Sequence, residues 1–160
     1  MKKTITILTS FLAIIFFIGC KKDSSCHMVS LNESFVASYG CKYCCQINSD
    51  TTIEIEFIDI EDYRTYGASC MQSTGGYASI FLKSTLVDNG RNNTNYLKST
   101  VIGCSIYDNT QLNDPSVLPL QRFGQIKLKL LNLYPLSPNI TKAPKSKKEY
   151  SIKLGFTDKN

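Results

Sequence analysis

The chain has 160 residues, with 18 basic and 13 acidic side chains, seven cysteines, one histidine and no tryptophan. The net charge of +5 falls to +3 when Lys2 and Lys3 are set aside, leaving 16 bases against 13 acids, and this excess is too small to predict a nucleic-acid partner. No catalytic triad can be drawn around the single histidine, His27, so the sequence predicts neither an enzyme nor a cofactor.

The first 19 residues are typical of an export signal. Lys2 and Lys3 form a positive start, and residues 5–18 contain no charged side chain. A helix needs about 20 apolar residues to cross ~30 Å of hydrocarbon, and this shorter run stops at Gly19. The pattern therefore favours a cleaved signal over a retained membrane helix.

The junction Phe17-Ile18-Gly19-Cys20 resembles the lipobox that lipoprotein signal peptidase cuts. The resemblance implies that the Cys20 thiol carries diacylglycerol, with acyl chains such as palmitate holding the protein on a membrane. The next residues, through Asp23, are similar to the start of small Bacteroidetes-type lipoproteins, in which a cysteine-rich β domain of unknown function follows the signal. This likeness implies the cell envelope as location, with a lipid anchor in the outer membrane and the domain on its periplasmic or surface face.

The processing site divides the chain into three parts. Residues 1–19 are the predicted signal peptide, residues 20–30 the lipidated N-terminus and tether, and residues 31–160 a single β domain. Cleavage after residue 19 leaves 141 of the 160 residues, a length expected for one hydrophobic core.

Six cysteines remain once Cys20 is lipidated. They are Cys26, Cys41, Cys44, Cys45, Cys70 and Cys104. In an oxidising compartment an even set predicts up to three disulfides of unknown connectivity. Neighbouring residues of a strand point to opposite faces, so Cys44 and Cys45 are expected to bond different partners.

The run from Cys41 to Cys45 has two other interpretations. Its thiolates, together with His27, can bind a soft metal such as copper or zinc, and Cys41 with Cys44 can form a redox couple. A tetrahedral site needs a second cysteine pair, however, and a thioredoxin-like couple precedes a helix, whereas strand is predicted from residue 53 onward. Structural disulfides are therefore favoured, and a metal-binding or thiol-redox role is the alternative.

Two strands are predicted from alternating apolar and charged residues. Residues 53–57 alternate apolar and acidic side chains, and residues 126–130 alternate apolar and basic ones. Opposite charges on neighbouring strands contribute roughly 0.2–1 kcal/mol per pair, so we expect the two strands to pair. This hypothesis sets Glu54 and Glu56 opposite Lys127 and Lys129. The alternation changes phase at 57–58 and at 130–131, which predicts bulges or regions covered on both faces.

Further short strands complete an all-β prediction. They are expected at 35–38, 77–82, 96–106 and 150–156, separated by the turns Gly75-Gly76, Asp88-Asn89-Gly90 and Asp108-Asn109. In the last strand Tyr150, Ile152, Leu154 and Phe156 share one face. No amphipathic helix is predicted. The fold class is an antiparallel β-sandwich-like or barrel-like single domain stapled by disulfides.

Residues 134–149 form a predicted basic loop before the final strand. Its prolines and lysines are Pro135, Pro138, Pro144, Lys142, Lys145, Lys147 and Lys148. The loop can approach anionic lipid headgroups, but an ordinary solvated connection is the favoured interpretation.

The remaining polar residues suggest binding rather than catalysis. Five carboxylates could in principle form an acid/base pair or a calcium site, but structural charge is favoured; they are Glu54, Glu56, Asp59, Glu61 and Asp62. Nine tyrosines could stack on a glycan, and Asp50-Thr51-Thr52 resembles a glycosylation signal of the same phylum. We expect a non-enzymatic binding or envelope-interaction module, with an unknown protein or glycan as partner.

Overall fold

The computed structural model describes residues 25–67, 76–102, 112–113, 119–136 and 141–159. These residues form two β-sheets and no α-helix, which confirms the all-β prediction. The sheets are open rather than closed on themselves, so the sandwich-like alternative is the one observed. The predicted signal at 1–19, Cys20, Cys70, Cys104, Gly75, residues 103–106 and Asp108-Asn109 lie outside the described residues.

Nine strands and one short 3-10 helix are present in the described ranges. The strands are β1 His27–Met28, β2 Ser34–Ser38, β3 Lys42–Gln46, β4 Thr51–Asp62, β5 Tyr77–Asp88, β6 Arg91–Ile102, β7 Pro119–Phe123, β8 Ile126–Tyr134 and β9 Ser151–Thr157. The 3-10 helix, Lys147–Glu149, precedes β9 and is closed by a capping box in which Ser146 and Glu149 bond each other's backbone. The strands predicted at 35–38, 77–82 and 150–156 all lie within or across observed ones.

The first sheet has the order β1-β3-β4-β5-β6, and the second has the order β2-β9-β8-β7. Every pairing is antiparallel except that of β1 with β3, which is parallel. The chain thus enters along β1, crosses to the second sheet as β2, and returns to the first as β3. Both outer strands of the second sheet are short, whereas the first sheet ends in the two-residue β1 on one side and the twelve-residue β6 on the other.

The core lies between the two sheets. On β4 the inward residues Ile53, Ile55 and Phe57 are fully buried, as the alternation predicts. The predicted face of β9 is also buried in full, from Tyr150 to Phe156. Fully burying one such side chain contributes about 1.5–3 kcal/mol, so these facing rows are what hold the layers together.

Both predicted phase changes are β-bulges. The β4–β5 register shifts between Phe57 and Asp59, and the β8–β9 register shifts between Leu130 and Asn132. An extra residue on one strand reverses the side-chain alternation, which is what the sequence shows at both points.

The expected pairing of the acidic and basic strands is wrong. β4 lies in the first sheet between β3 and β5, whereas β8 lies in the second between β9 and β7. Glu56 faces Lys42 on one side and Lys83 on the other, so the cations beside the acidic strand come from its neighbours along the chain. β3 and β5 are the strands before and after β4 in the chain, so pairing with them closes smaller loops and loses less chain entropy than pairing with β8, and this outweighs charge matching with a distant strand.

The two ends of the sandwich are different. At one end, three strands finish and three begin: β4, β6 and β8 finish there, and β5, β7 and β9 begin. We call it the Arg64 end, because Arg64 lies just after the end of β4. At the other, β5 turns into β6 through Asn89 and Gly90, with φ of 49° and 75°, and we call this the hairpin end. Positive φ at both central residues is the conformation that a two-residue hairpin turn requires, which confirms the predicted Asp88-Asn89-Gly90 turn.

Candidate functional site

The outer strand β6 is the most exposed element of the described chain. Its first six residues, 91–96, are all exposed, and Tyr96 has 72% of its surface accessible. β6 pairs with β5 over its full length with no register shift, and no strand of the described residues pairs with its other side. It contains no proline and no acidic residue. A long edge with no described pairing strand offers a template for an added strand.

The hairpin turn determines which backbone groups of β6 point away from β5. In a two-residue hairpin the residues flanking the turn, here Asp88 and Arg91, form a hydrogen-bonded pair, and the pairs then alternate along the ladder. Asn92 and every second residue after it therefore direct their N–H and C=O groups to the free side. The close approach of the Thr85 and Thr94 hydroxyls, at 3.0 Å, agrees with a non-hydrogen-bonded pair, in which side chains lie nearer. The free edge therefore carries a regular series of backbone donors and acceptors that no strand of the described residues pairs with.

A polar groove lies beside this edge on the outer face of the first sheet. It is shallow, with a volume of about 10 Å³, room for about one water molecule, and is lined by Lys42, Glu54, Ile55, Glu56, Lys83 and Thr85. Lys42 and Glu54 form an ion pair at 3.1 Å, and Tyr96 stands in the same cross-strand row as Lys83. Lys98, one row further along β6, lies 5.2 Å above the Phe81 ring. The groove can therefore contact a single polar group of a ligand that lies across the strands, but it is too shallow to enclose one.

A buried ion pair holds the opposite end together. Arg64, which is 4% exposed, makes a two-pronged contact to Asp62 at 2.9 and 2.8 Å and donates to the Pro135 carbonyl at 3.3 Å. Because Pro135 follows β8, the guanidinium connects the two sheets. Tyr66 donates its hydroxyl to Asp62 and lies beneath the guanidinium, 5.6 Å from it.

Burial and hydrogen bonding oppose each other in this cluster. Burial works to raise the pKa of Asp62, but hydrogen bonds from Arg64 and Tyr66 outweigh it and bring the pKa below its usual range. Burial also raises the pKa of Tyr150, whose hydroxyl interacts with that of Tyr66. Asp62 and Arg64 therefore remain a charged pair at neutral pH, and Tyr66 and Tyr150 keep their hydroxyl protons and can donate hydrogen bonds. The cluster thereby links the two sheets at this end.

A close backbone approach fixes the position of Arg64. Gly76, with φ of +94°, packs so tightly that a Cβ there would lie 2.6 Å from the Tyr63 carbonyl oxygen and 2.9 Å from the Arg64 Cα. Only glycine combines this φ with this contact. Sequence reasoning missed Arg64, although an arginine two residues after the last acid of an acidic strand was a visible signal.

The five candidate carboxylates do not converge. Glu54 pairs with Lys42, Asp62 with Arg64, and Asp59 at the β4 bulge with Lys147. The hydrogen bond from Lys147 lowers the pKa of Asp59 despite an opposing effect of partial burial. No group of three or more histidine, cysteine, aspartate or glutamate side chains able to hold a metal occurs within the described ranges. Their arrangement is that of separate ion pairs.

One disulfide joins the incoming chain to the first sheet. Cys26 is bonded to Cys44, with the two Cα atoms 5.7 Å apart, and Cys41 is also disulfide-bonded. Cys41 and Cys44 are therefore not bonded to each other. His27, beside Cys26, lies with its ring 5.3 Å from that of Tyr43. The disulfide anchors β1, the shortest strand, to the edge of the sheet.

The expectation that Cys45 bonds a second partner is wrong. Cys45 is a free thiol with no exposed surface, set among the inward residues of β3. Adjacent residues do point to opposite faces, as predicted, but the inward face here is the hydrophobic core. Burial raises the pKa of the Cys45 thiol, so little of the reactive thiolate forms at neutral pH. The residue acts as a small apolar side chain.

No protein-family model, curated protein sequence or solved structure matches this chain. Within the described residues, no helix has the length and apolar character needed to cross a bilayer. The functional interpretation therefore depends on the β6 edge, the outer groove and the stapled strand β1.

Proposed function

We propose that the protein is a membrane-anchored extracytoplasmic binding module that receives an extended segment of a partner protein along its β6 edge. The anchor is the acylated Cys20, and the binding role is non-enzymatic. The lipobox-like junction supports the anchor, and the Cys26–Cys44 disulfide supports folding in an oxidising compartment.

The free edge of β6 carries the proposal. Twelve residues in unbroken register with β5 give about 40 Å of edge at 3.3 Å per residue, about twice the length of a typical strand. An added strand satisfies the outward backbone groups, and its side chains alternate between the two faces of the sheet. Backbone pairing supplies affinity and the flanking side chains supply selectivity.

The side chains along the edge indicate the character of the partner. Arg91 and Lys98 are its only charged residues, both basic, and Tyr96 offers a large exposed ring between them. A partner segment with carboxylates and an apolar side chain near its centre complements this pattern. A long extended segment is therefore preferred to a compact domain.

Photo-crosslinking in intact cells tests the binding role. A photoreactive amino acid at Thr94 on the free edge is expected to form peptide adducts, whereas the same group at Gln125, an exposed turn residue on the other sheet, is not. The variant Asn92→Pro removes one outward N–H and is expected to reduce the Thr94 adduct. Equal adducts at both positions, or carbohydrate adducts at Thr94, contradict partner-strand binding; the second outcome indicates a glycan in the outer groove.

Fractionation tests the anchor separately. The Cys20→Ala chain is expected to keep its signal and to lose the acylated form seen by mass spectrometry, while wild type stays with membranes. Unchanged maturation and retention of Cys20→Ala contradict the lipid anchor without affecting the crosslinking result.

A further inference from the structure

We propose that the Arg64 end of the domain docks on an anionic membrane surface, with Lys142, Lys145 and Lys148 against lipid phosphates and Tyr63, Tyr77 and Ile102 in the interfacial layer. The inference rests on the proposed anchor at Cys20 and adds an orientation to it. The ligand is the surface of a bilayer whose lipid headgroups carry a net negative charge on their phosphates.

The lysines lie on one exposed segment at this end. Residues 141–149 connect β8 to β9, and Lys142, Lys145 and Lys148 are exposed with no ion-pair partner among the described residues. Lys147 is held by Asp59, and this contact fixes the segment against the β4 bulge. The cations are therefore positioned by the fold rather than free to spread into solvent.

The carboxylates near this segment are mostly occupied. Asp59 pairs with Lys147, Asp62 is buried with Arg64, and the Glu149 side chain accepts from the Ser146 backbone. Glu61 is the remaining exposed acid beside them on β4. Three unpaired lysines against two exposed carboxylates, Glu61 and Glu149, leave this surface with a net positive charge, which attracts anionic lipids.

Large apolar side chains are exposed at the same end. Tyr63 follows β4, Tyr77 begins β5 and Ile102 ends β6, with 61%, 47% and 78% of their surfaces accessible. The two tyrosine rings touch, with centroids 5.3 Å apart, and Ile102 is directly opposite Tyr77 in the β5–β6 register. Tyrosine beside lysine suits the boundary between headgroups and acyl chains, where one part of the side chain is apolar and the other wet.

The direction of β1 is compatible with an anchor on the side of the Arg64 end. β1 runs parallel to β3, which starts opposite Glu56 near the middle of β4 and runs toward the hairpin end, so β1 enters from the side of the Arg64 end. The six Cα-to-Cα steps from Cys20 to Cys26 span at most about 21 Å. The six steps along β4 from Glu56, which pairs with the start of β3, to Asp62 cover about 20 Å. An acyl chain on Cys20 can thus reach the membrane while the Arg64 end touches it.

Docking in this orientation directs the hairpin end away from the bilayer. β4 extends about 40 Å from one end to the other at 3.3 Å per residue. The upper part of the β6 edge, including Asn92 and Thr94, then faces the aqueous side and is free to meet a partner. Membrane contact and partner binding use opposite ends of one sheet.

Lysine labelling of the lipidated full-length mature protein tests the docking. The protein is extracted from membranes with its anchor and reconstituted into vesicles of phosphatidylcholine alone or with phosphatidylglycerol added. Each docked lysine is expected to contribute roughly fivefold to the docked-to-free ratio. Lys142, Lys145 and Lys148 are therefore expected to be acylated several-fold more slowly on the anionic vesicles, and high salt is expected to abolish the difference because it screens the charges. Lys159, exposed at the hairpin end, serves as the internal control and should react equally in all arms.

A variant carrying Lys142→Gln, Lys145→Gln and Lys148→Gln checks that charge is responsible. Spin labels at Tyr63 in this variant are expected to report a wetter environment on anionic vesicles than the same label in wild type. Equal labelling of the three lysines on both vesicle types overturns the docking while retention of the protein leaves the anchor intact. Loss of the protein from all vesicles overturns the anchor and the docking together.

Discussion

The Arg64 end and the hairpin end of the sandwich are stabilised by different chemistry. At the Arg64 end, charged side chains cross between the sheets: Arg64 reaches Pro135 from its pair with Asp62, and Lys147 reaches Asp59. At the hairpin end the side-chain contacts are single hydrogen bonds, such as that from the Thr157 hydroxyl to the Asn32 amide oxygen at 3.1 Å and that from the Thr51 hydroxyl to the Asp88 carboxylate at 3.0 Å, and β6 stands exposed.

Because of this difference, the residues that stabilise the fold are not the residues that are exposed for partner binding. Burying an ion pair is unfavourable unless both partners are fully bonded, but once formed it makes the loss of either partner very destabilising. An exposed edge strand contributes little to the core, so substitutions of its surface residues change the free energy of unfolding only slightly. The domain can therefore keep one end rigid and use the other for recognition.

The largest expected effect comes from breaking the buried pair. Arg64→Leu leaves the Asp62 carboxylate buried without its partner, and we expect the free energy of unfolding to fall by about 3–5 kcal/mol, measured by chemical denaturation. The matched control is Lys42→Gln, which removes the exposed Lys42–Glu54 pair and should cost less than about 1 kcal/mol. Equal losses in the two variants contradict a special role for the Arg64 end.

The second effect concerns the disulfide that attaches β1 to the first sheet. The Cys26–Cys44 disulfide closes a loop with a sequence separation of 18, so replacing both cysteines with serine should lower the free energy of unfolding by about 3 kcal/mol. Cys45→Ala keeps the disulfide and removes one buried sulfur, at a cost of about 1 kcal/mol. If the double serine variant is as stable as wild type, the disulfide does not stabilise the domain by lowering the entropy of the unfolded chain.

Acid should weaken the Arg64 end selectively. The pKa of Asp62 lies below its unfolded value of about 3.9, so its stabilisation is fully present above that pH and is lost as the pH falls through the folded pKa. Denaturation from neutral to acid pH should show a smaller loss for Asp62→Asn than for wild type. Asp59→Asn, at the exposed pair, is the comparison, and its curve should stay closer to wild type. Parallel curves for wild type and Asp62→Asn rule out this linkage.

At the hairpin end the expected effects are smaller. Gly90→Ala places a side chain at φ of 75°, which should cost about 1–2 kcal/mol from local strain alone because no neighbour lies within 4 Å of the new Cβ. Asn89→Gly, at φ of 49°, should change the free energy of unfolding by less than about 0.5 kcal/mol. A larger loss from the Asn89 variant means that its side chain, not the turn conformation, stabilises the hairpin.

Local patterns in the sequence predicted the elements well because they depend on few residues. The alternation at 53–57 defined β4, the phase change beside Phe57 marked a bulge, and Asn89-Gly90 marked the turn. Strand partners could not be predicted in the same way. Pairing depends on chain connections and on burial of whole faces, so β4 and β8 entered different sheets although their charges match.

The candidate site was harder to predict than the fold. The cysteine count indicated disulfides but not that Cys45 faces the core, because the inward side of β3 is set by the second sheet. The exposed edge of β6 depends on strand order and was not visible in a polar run such as Arg91–Ile102. The role of Arg64 was overlooked because, although Asp62 is only two residues away, the Pro135 carbonyl that it also binds lies 71 positions along the chain and is brought close only by the fold.

The smallest expected effect is at the β6 edge. It distinguishes the backbone groups of β6 that point to solvent from those that bond to β5. Asn92→Pro removes an N–H that points to solvent, so the free energy of unfolding should change by less than about 0.5 kcal/mol. Asn93→Pro, one residue along, removes an N–H bonded to β5 and should cost at least about 1 kcal/mol, since Asn93 pairs with Leu86 in the ladder. Chemical denaturation of the two variants measures the contrast. If both are equally destabilising, the alternation of backbone groups assigned from the hairpin turn is wrong, and β6 does not present a regular free edge to a partner.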